Sequence, residues 1–543
     1  MGTNDGMAAD VVLFGDVVTM NDAAPRAQAV AVRDGRIAAV GDDAAVFPLI
    51  GPGTMAFDLH RACILPGFVE AHGHPLNSAI LLGPSVVDIR PVTVADAGQV
   101  VAIVHRALEE RPGGAVLSGW DPLLQKGLPT PTREWLNSVA PDTALVILHN
   151  TGHAAYFNDV AAREAGLTKD TPDPEGGSFG RGESGELDGS AFEAPAVMAV
   201  ALKWLADDAA RLPELLAAEC ARMNAAGITT TSEMSFDPRF RRTLRDFARS
   251  GALTTRLRLY EMSNPARASD VSPGVGDDLV RQVGIKIWAD GSPWLGNVAL
   301  GFPYIESAAT RALGLVGSRG SANYTADEIL EISRPYFENG WQISCHATGD
   351  ETITMVLDAW ERMLADIPRE DHRLRLEHVG AMRPDQFRRA TELGVTCSIF
   401  VDHLYYWGDV LVDDLFGPEY GERWAAAGSA IAAGQRISFH NDAPVTPLSP
   451  LRNITDAVTR RTRSGRVLAP DERISAEEAL RAETINSAWH LRSEDVIGSI
   501  TPGMHADLVV LSANPLSVDP YEIADLEVLA TILEGRTVFG KLE

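Results

Sequence analysis

Cysteine is scarce in this chain, and no two cysteines are close in sequence. The 543 residues contain four, and none of them forms a C-x-x-C pair. Such scattering disfavours both a disulfide framework and a structural zinc knuckle. All four lie in apolar stretches, where a cysteine usually serves as a small buried hydrophobe. They are Cys63, Cys220, Cys345 and Cys397.

Long apolar runs and positive charge are also lacking. No stretch approaches about 18 consecutive apolar residues, and the N-terminus has neither a basic nor an apolar signal region, so no membrane span or signal peptide is predicted. The formal net charge is -27, and an acidic surface repels phosphate backbones. We therefore expect a cytoplasmic protein that acts on a small molecule, without nucleic-acid or membrane partners. A homodimer is the default oligomer.

Two β-rich ends bracket a long middle. Short strand-like runs separated by turns occupy residues 8–66, and similar runs recur in residues 498–539. We interpret the ends as one small β-sandwich domain, formed by residues 1–66 together with 493–543. The middle, residues 67–492, would then be a larger domain inserted into it.

The middle alternates strand-like and helix-like segments, which favours a parallel α/β architecture. Eight candidate strands predict a (β/α)₈ barrel, whose functional residues lie at the C-terminal ends of the strands. The candidates lie near Phe68–His72, Ile228–Glu233, Arg256–Glu261, Ile285–Ala289, Gln342–His346, Arg373–His378, Val395–Phe400 and Arg436–Asn441. Residues 75–227 are too long for a loop, and we interpret them as an inserted subdomain that determines substrate specificity.

Polar residues stand at the ends of the predicted strands. The first strand ends in His72 and His74, and side chains two positions apart on a strand share a face, so the pair forms half of a metal site. Other strands carry Lys286, His346, His378 and Asp442. Each alone has a structural alternative: a core histidine, a surface lysine or a turn aspartate. Jointly they favour a functional site, because buried lysine and aspartate are rare without partners.

These segments resemble the amidohydrolase superfamily. More narrowly, they resemble the YtcJ-like branch, amidohydrolase family 3, which includes N-substituted formamide deformylase. The resemblance covers nearly the whole chain and rests on LPGFVEAHGHP at 65–75, TGHAAYFND at 151–159, GIKIWADGS at 284–292, LEHVG at 376–380, FHNDAPV at 439–445 and GSITPGMHADLVVL at 498–511. It implies a metal-bearing (β/α)₈ barrel with a β-sandwich built from both ends, in agreement with the strand pattern.

The resemblance also implies roles for the polar residues. His72 and His74 match metal ligands, and Lys286 matches a lysine that is carbamylated in some branches and bridges two ions. His346 and His378 would complete the ligand set or contact the substrate. Asp442 is counted among the ligands and would carry a proton from the attacking water to the leaving group. The implied cofactor is one or two divalent metal ions, with zinc expected, although iron, manganese or nickel suits similar ligands.

The motif at the eighth strand departs from the expected pattern. Asn441 stands where a serine is expected, and it should still hold the turn. His440 precedes it, and we leave His440 out of the catalytic set, which is Asp442, His346 and His378.

Four further residues are predicted to contact the substrate. His153 and Asn158 belong to the motif at 151–159, where ordinary loop structure is the alternative. Trp120 and Trp294 could line a pocket, although aromatic residues are more often part of a core.

The leading functional interpretation is hydrolysis of a C–N bond in an amide, formamide, urea or cyclic amide by metal-activated water. Two alternatives stay open. The same metal barrel could act as an esterase, a lactonase or an isomerase, because fold does not fix function. A non-catalytic binding protein would have lost one or more of the six key residues, and all six positions are filled.

Overall fold

The computed structural model describes residues 8–542, whose strands form three sheets of eight, seven and six strands. The eight-stranded sheet is the barrel, and every neighbouring pair in it is parallel. Its strands are Phe68–Glu70, Ile228–Phe236, Arg256–Met262, Val280–Trp288, Gln342–Ala347, Arg375–His378, Thr396–Ile399 and Ser438–Phe439. The predicted (β/α)₈ architecture is confirmed. The first and last strands meet where the Asn441 N–H donates to the Glu70 carboxylate at 2.9 Å.

Helices cover the outside of the barrel, except between the third and fourth strands, where residues 263–279 contain no helix. The main ones are Leu212–Ala225, Arg241–Arg249, Ala326–Glu338, Asp350–Asp366, Pro384–Glu392, Ala427–Ala432, Pro450–Thr459, Ala476–Ala482 and Ile485–His490. Helix Ala326–Glu338 illustrates why they form. Thr325 and Glu328 make a capping box at its start, and apolar residues at helical spacing bury one face against the barrel.

Both ends of the chain contribute to the terminal sheet, as predicted. Its strands, in spatial order, are Arg536–Gly540, Val528–Leu533, Leu508–Leu511, Met55–Pro66, Val11–Val18, Arg26–Arg33 and Arg36–Gly41. The sheet curls until its edge strand meets residues 503–506, where the Ile37 N–H donates to the Met504 carbonyl at 2.9 Å. An apolar cluster that includes Leu13, Ile64 and Leu508 fills the space enclosed by the sheet, as between the layers of a sandwich.

The third sheet, which we call the insertion sheet, lies between the first and second barrel strands in sequence. Its strands are Val86–Asp88, Ala115–Trp120, Leu145–His149, Ala154–Phe157, Ser178–Arg181 and Leu187–Phe192. Helices Pro75–Leu81, Ala97–Glu110, Arg133–Val139, Asp159–Glu164 and Glu193–Ala210 accompany it. The domain limits stated above stay a prediction.

The terminal sheet anchors the start of the barrel. Strand Met55–Pro66 runs through Gly67 directly into the first barrel strand, and the Gly67 N–H donates to the Asp507 carbonyl at 2.9 Å. A Cβ atom at position 67 would lie 2.3 Å from the Thr229 hydroxyl, so only glycine permits this approach. This junction places His72 and His74 at the end of a short, fixed strand.

All four cysteines are buried and unpaired. No helix within residues 8–542 combines the length and the apolar character that crossing a membrane requires.

Candidate metal centre and active site

The C-terminal ends of the barrel strands bring the predicted histidines around Asp442. Its Oδ1 atom lies 3.6 Å from His72 Nε2 and 3.3 Å from His74 Nε2. Its Oδ2 atom lies 4.0 Å from His378 Nδ1, and the ring centroids of His378 and His346 are 4.2 Å apart. Two overlapping groups have potential ligand atoms within 4.8 Å of one another: His72, His74 and Asp442, and His72, His378 and His440.

Lys286 lies in the fourth barrel strand and is 1% exposed. Its Nζ atom is buried and has no hydrogen-bond partner among residues 8–542. Burial lowers the pKa of the Lys286 ammonium to about 8, although Glu377 and Asp442 act in the opposite direction. An appreciable fraction of this amine is therefore neutral near physiological pH.

Glu377 fixes the orientation of His72. Its Oε2 atom accepts a hydrogen bond from His72 Nδ1 at 2.7 Å, which leaves the Nε2 lone pair of His72 directed at Asp442. Arg375 and Ser344 both donate to the other carboxylate oxygen. Burial alone would raise the pKa of Glu377, but Arg375 and Lys286 outweigh it and lower that pKa, so Glu377 stays ionised.

His74 and His346 each have a neutral hydrogen-bond partner with a carboxylate close by: His74 Nδ1 also lies 3.6 Å from Glu233 Oε1, and His346 Nε2 lies 3.4 Å from Asp290 Oδ1. His74 Nδ1 lies 3.0 Å from the Ser235 hydroxyl, and His346 Nε2 donates to the Gly291 carbonyl at 2.9 Å. Each ring therefore keeps one nitrogen available as a ligand: Nε2 of His74 and Nδ1 of His346.

Asp442 occupies a turn that the backbone would not adopt without support. Its φ angle is 54°, in the left-handed region that disfavours a residue with a Cβ atom. Asn441 holds this turn from both sides. Its amide nitrogen donates to Asp402 at 2.9 Å, and its amide oxygen accepts the Ser449 N–H at 2.8 Å.

The donor atoms of this cluster fit a divalent metal ion. In this cluster, three buried atoms have no hydrogen-bond partner within residues 8–542. They are Lys286 Nζ, His378 Nε2 and Asp442 Oδ1. A buried polar atom without a partner costs about 1–3 kcal/mol, so three of them around one point indicate an absent ligand. Imidazole nitrogens and carboxylate oxygens are the donors that zinc and similar ions bind. Burial holds the pKa values of His72, His346 and His378 well below their usual range, which keeps them in the neutral, metal-binding form.

A cavity of about 140 Å³ opens above the cluster. The histidines and Asp442 form its floor, together with Trp288 from the fourth barrel strand. Its wall is largely apolar and comes from the segment between the first two barrel strands: Ile80, Leu81, Leu148, Val197, Met198 and Leu205. The insertion therefore completes the site that the barrel begins.

His153 also lines this cavity, beside His346. Its Nδ1 atom lies 2.7 Å from the Glu193 carboxylate, and its ring centroid lies 5.1 Å from that of His346. Glu193 is itself constrained, with a φ angle of 64° and a hydrogen bond from Asn297 at 3.2 Å. This arrangement is consistent with the predicted substrate contact of His153.

The structure places the other three predicted substrate residues away from the cavity. Asn158 caps helix Asp159–Glu164, and its amide nitrogen donates to the carbonyls of Ala140 and Thr143. Trp120 is completely buried in the core of the insertion sheet. Trp294 is 2% exposed and stacks on Trp407 at 5.2 Å. Because these side chains are committed to packing and backbone bonds, we withdraw their assignment as substrate contacts.

Sequence reasoning missed Glu377 and Glu193. Glu377 directly precedes His378, and strand alternation would send their side chains to opposite faces. The backbone of His378 has a φ angle of 70°, which breaks the alternation and lets both side chains point inward. Glu193 carried no signal, because its place depends on how the insertion folds against the barrel.

Known proteins are similar to this chain in sequence and in architecture. Residues 56–539 match the sequence profile of the amidohydrolase family. N-substituted formamide deformylase of Arthrobacter pascens is 28% identical over 541 residues, which cover 97% of each chain. The putative amidohydrolase YtcJ of Bacillus subtilis strain 168 is 25% identical over 547 residues, covering 97% of this chain and 98% of its own.

The fold has a counterpart among solved structures. The crystal structure of an uncharacterized metal-dependent hydrolase from Pyrococcus horikoshii OT3 superposes with a TM-score of 0.70 at 20% identity. The superposition covers 94% of this chain and 99% of that one. It supports the barrel with its added sheet domain.

Proposed function

Because this chain belongs to the amidohydrolase family, we propose that it is a metal-dependent hydrolase that cleaves a C–N bond of an amide, formamide, urea or cyclic amide. The observation that carries the proposal is the set of three buried, partnerless donor atoms on Lys286, His378 and Asp442. The likeness to an N-substituted formamide deformylase supports the choice of a C–N bond.

In this proposal, His72, His74 and Asp442 hold one divalent ion, and His346 and His378 hold a second. Zinc is the expected metal. A divalent ion in such a centre polarises a carbonyl group and lowers the pKa of water towards about 7.

Lys286 would act as a carbamate between the two ions. Its neutral amine would add to carbon dioxide and release one proton, which gives a carbamate whose single negative charge is shared by two oxygens, in place of a repelling ammonium. A pKa of about 8 supports this reaction, because it provides the neutral amine near physiological pH.

The remaining steps belong to the side chains around the cavity. Asp442 is within 4.0 Å of three ligand histidines, and we assign it to accept a proton from the attacking water and to deliver it to the leaving nitrogen. His153, held by Glu193, contacts the substrate from its place beside His346. The small cavity with its apolar wall favours a small molecule that carries an apolar substituent.

Elemental analysis of the full chain tests the proposal. We expect about one or two metal ions per chain in the wild type and their loss in His72→Gln, because metal centres of this kind need their imidazole ligands. His490→Gln is the matched control, since His490 is equally buried but bonds to Ser438 and the Arg436 carbonyl, outside the cluster. A wild type that stays metal-free after growth with added zinc, manganese or iron would contradict the metal-dependent mechanism.

Hydrolysis of a panel of N-substituted formamides, acetamides, ureas and cyclic amides, with matched esters, then tests the bond type. Cleavage of the esters alone would contradict the C–N assignment.

A further inference from the structure

We propose that His440 is a positioning residue of the metal centre, which fixes the tautomer and the ring orientation of His378 so that His378 Nε2 faces the ion. This inference rests on the metal-dependent function proposed above. It concerns a residue to which neither the motif resemblance nor the ligand set gives a role.

A continuous row of hydrogen-bonding groups runs from the seventh barrel strand to His378. The Ser398 hydroxyl lies 2.8 Å from His440 Nδ1, and His440 Nε2 lies 3.1 Å from His378 Nδ1. His440 is 0% and His378 is 3% exposed, so no solvent competes for these bonds.

The contacts among Ser398, His440 and His378 indicate which nitrogen of His378 carries the proton. A neutral imidazole has one N–H and one lone pair. His378 Nε2 is buried without a partner among the described residues. An N–H there finds no acceptor among residues 8–542, whereas a lone pair there is satisfied when a cation binds. His378 therefore carries its proton on Nδ1 and donates it to His440 Nε2, and His440 donates its own Nδ1–H to Ser398.

The competing assignment makes His440 itself a metal ligand. Its nitrogens lie close enough to those of His72 and His378 for this geometry. However, both nitrogens of His440 already have partners, whereas His378 Nε2 has none. The ring of His440 also stacks on that of His72, with centroids 4.7 Å apart and an angle of 23° between the planes. The free ligand atom belongs to His378.

His440 differs from the partner of His72. His72 is oriented by the ionised Glu377, whereas His378 is oriented by a neutral ring. A carboxylate partner makes a histidine a stronger ligand than a neutral partner does. We therefore expect the ion on the His378 side to be the more easily removed.

Metal affinity of the full chain tests the role of His440 without any substrate. The variants are His440→Phe, which keeps the ring but removes both hydrogen bonds, and His440→Gln, which keeps an acceptor. His490→Phe makes the same change at a buried histidine outside the cluster. Each protein is stripped, reloaded with Zn²⁺ or Co²⁺ and titrated against a chelator, and the Co²⁺ absorption spectrum reports the ligand number.

We expect His440→Phe to weaken binding by about 10- to 100-fold at unchanged stoichiometry, as loss of a residue that orients a ligand does. His440→Gln should recover part of this loss, and His490→Phe should bind like the wild type. Wild-type affinity in His440→Phe would overturn the proposal. Loss of a whole ion at saturating metal, not recovered in His440→Gln, would make His440 a ligand and overturn it as well.

A measurement on the metal-free protein separates this inference from the proposed function. A wild type that takes up no metal overturns the metal-dependent hydrolase. Nitrogen-15 NMR of labelled histidines would still report the tautomer of His378 and does not depend on whether His440→Phe folds. A proton on His378 Nε2 would overturn the positioning role.

Discussion

The buried environment of Lys286 disfavours a charged amine, because a buried ammonium ordinarily requires a partner. Replacement by methionine keeps most of the length of the side chain and removes the amine. We expect Lys286→Met to lose one or both metal ions, measured as metal per chain. Lys286→Glu supplies a permanent carboxylate and should retain more metal than Lys286→Met. Wild-type metal content in Lys286→Met would remove the lysine from the centre.

Carbon dioxide gives a second test at the same residue. Wild-type protein reloaded in bicarbonate should take up more metal than protein reloaded in carbon dioxide-free buffer. Lys286→Glu should show no such difference, because the glutamate already carries a carboxylate and does not react with carbon dioxide. An equal bicarbonate effect in both proteins would contradict carbamylation.

Glu483 predicts an effect of pH on stability. It is completely buried, neither carboxylate oxygen has a partner among residues 8–542, and burial raises its pKa well above the usual range. The folded state then holds a proton that the unfolded state releases above about pH 4.3, so stability falls as pH rises from there. Glutamine needs no proton. The stability of Glu483→Gln relative to the wild type should therefore rise with pH above about pH 4.3, by at most about 1.4 kcal/mol per pH unit while the folded wild type keeps its proton.

Thermal melting at several pH values measures this difference. Glu331→Gln, an exposed change on helix Ala326–Glu338, is the control and should follow the wild type. A pH-independent difference for Glu483→Gln would show that the glutamate is not protonated in the folded state.

Single residues also show where sequence reasoning ends. His72, His74 and Asp442 could be found because a strand and its end fix where they point. Glu377 could not, because its role depends on the left-handed backbone at His378. His440 stands out beside Asp442 in the sequence, but its role depends on a contact between two different strand ends. Such features depend on tertiary structure and leave no local pattern.

Among the elements, helix Glu193–Ala210 determines the outer wall of the cavity. Met198 lines the cavity and is 40% exposed, while Leu202, one turn later, is 49% exposed and does not line it. We expect Met198→Asp to lower kcat/KM for substrates with an apolar substituent by about 10- to 200-fold, the usual effect of losing an apolar contact of this size. Leu202→Asp is the matched control and should leave kcat/KM unchanged. Equal losses in both variants would mean that the charge disturbs the helix and not the cavity.

The elements themselves were predictable to different degrees. All eight barrel strands could be predicted, because strand-like segments recur along the middle of the chain and most alternate with helix-like segments. Of the six strands of the insertion sheet, the sequence indicates only two, through the strand-like runs Ala115–Leu117 and Ala144–Leu148. Asn158 was predicted to contact the substrate because it belongs to the motif at 151–159, but its amide is needed to satisfy the backbone around Ala140 and Thr143.

At the scale of the whole molecule, Arg256 connects the barrel to the terminal sheet. It is completely buried in the third barrel strand, and it donates to Asp507 at 2.6 Å and to Glu534 at 3.0 Å. Removing one partner leaves a buried charge poorly compensated, which costs about 3–5 kcal/mol. We expect Asp507→Asn to melt well below the wild type while keeping its metal content, because the substitution lies outside the metal centre.

Asp525→Asn, an exposed change in the same part of the chain, is the control and should melt like the wild type. Loss of metal together with stability in Asp507→Asn would instead show that the terminal sheet helps to shape the centre.

The terminal sheet also has a consequence for how the protein is made. Leu65, in the strand Met55–Pro66 that leads into the first barrel strand, pairs with Val509. This strand pairs with Val11–Val18 on one side, but the ribosome must translate almost the entire chain before it acquires its second neighbour. At a translation rate of about 5–20 residues per second, this edge stays unpaired for roughly 20–90 s. Unpaired edges recruit other strands, and this interval is when the nascent polypeptide most needs a chaperone.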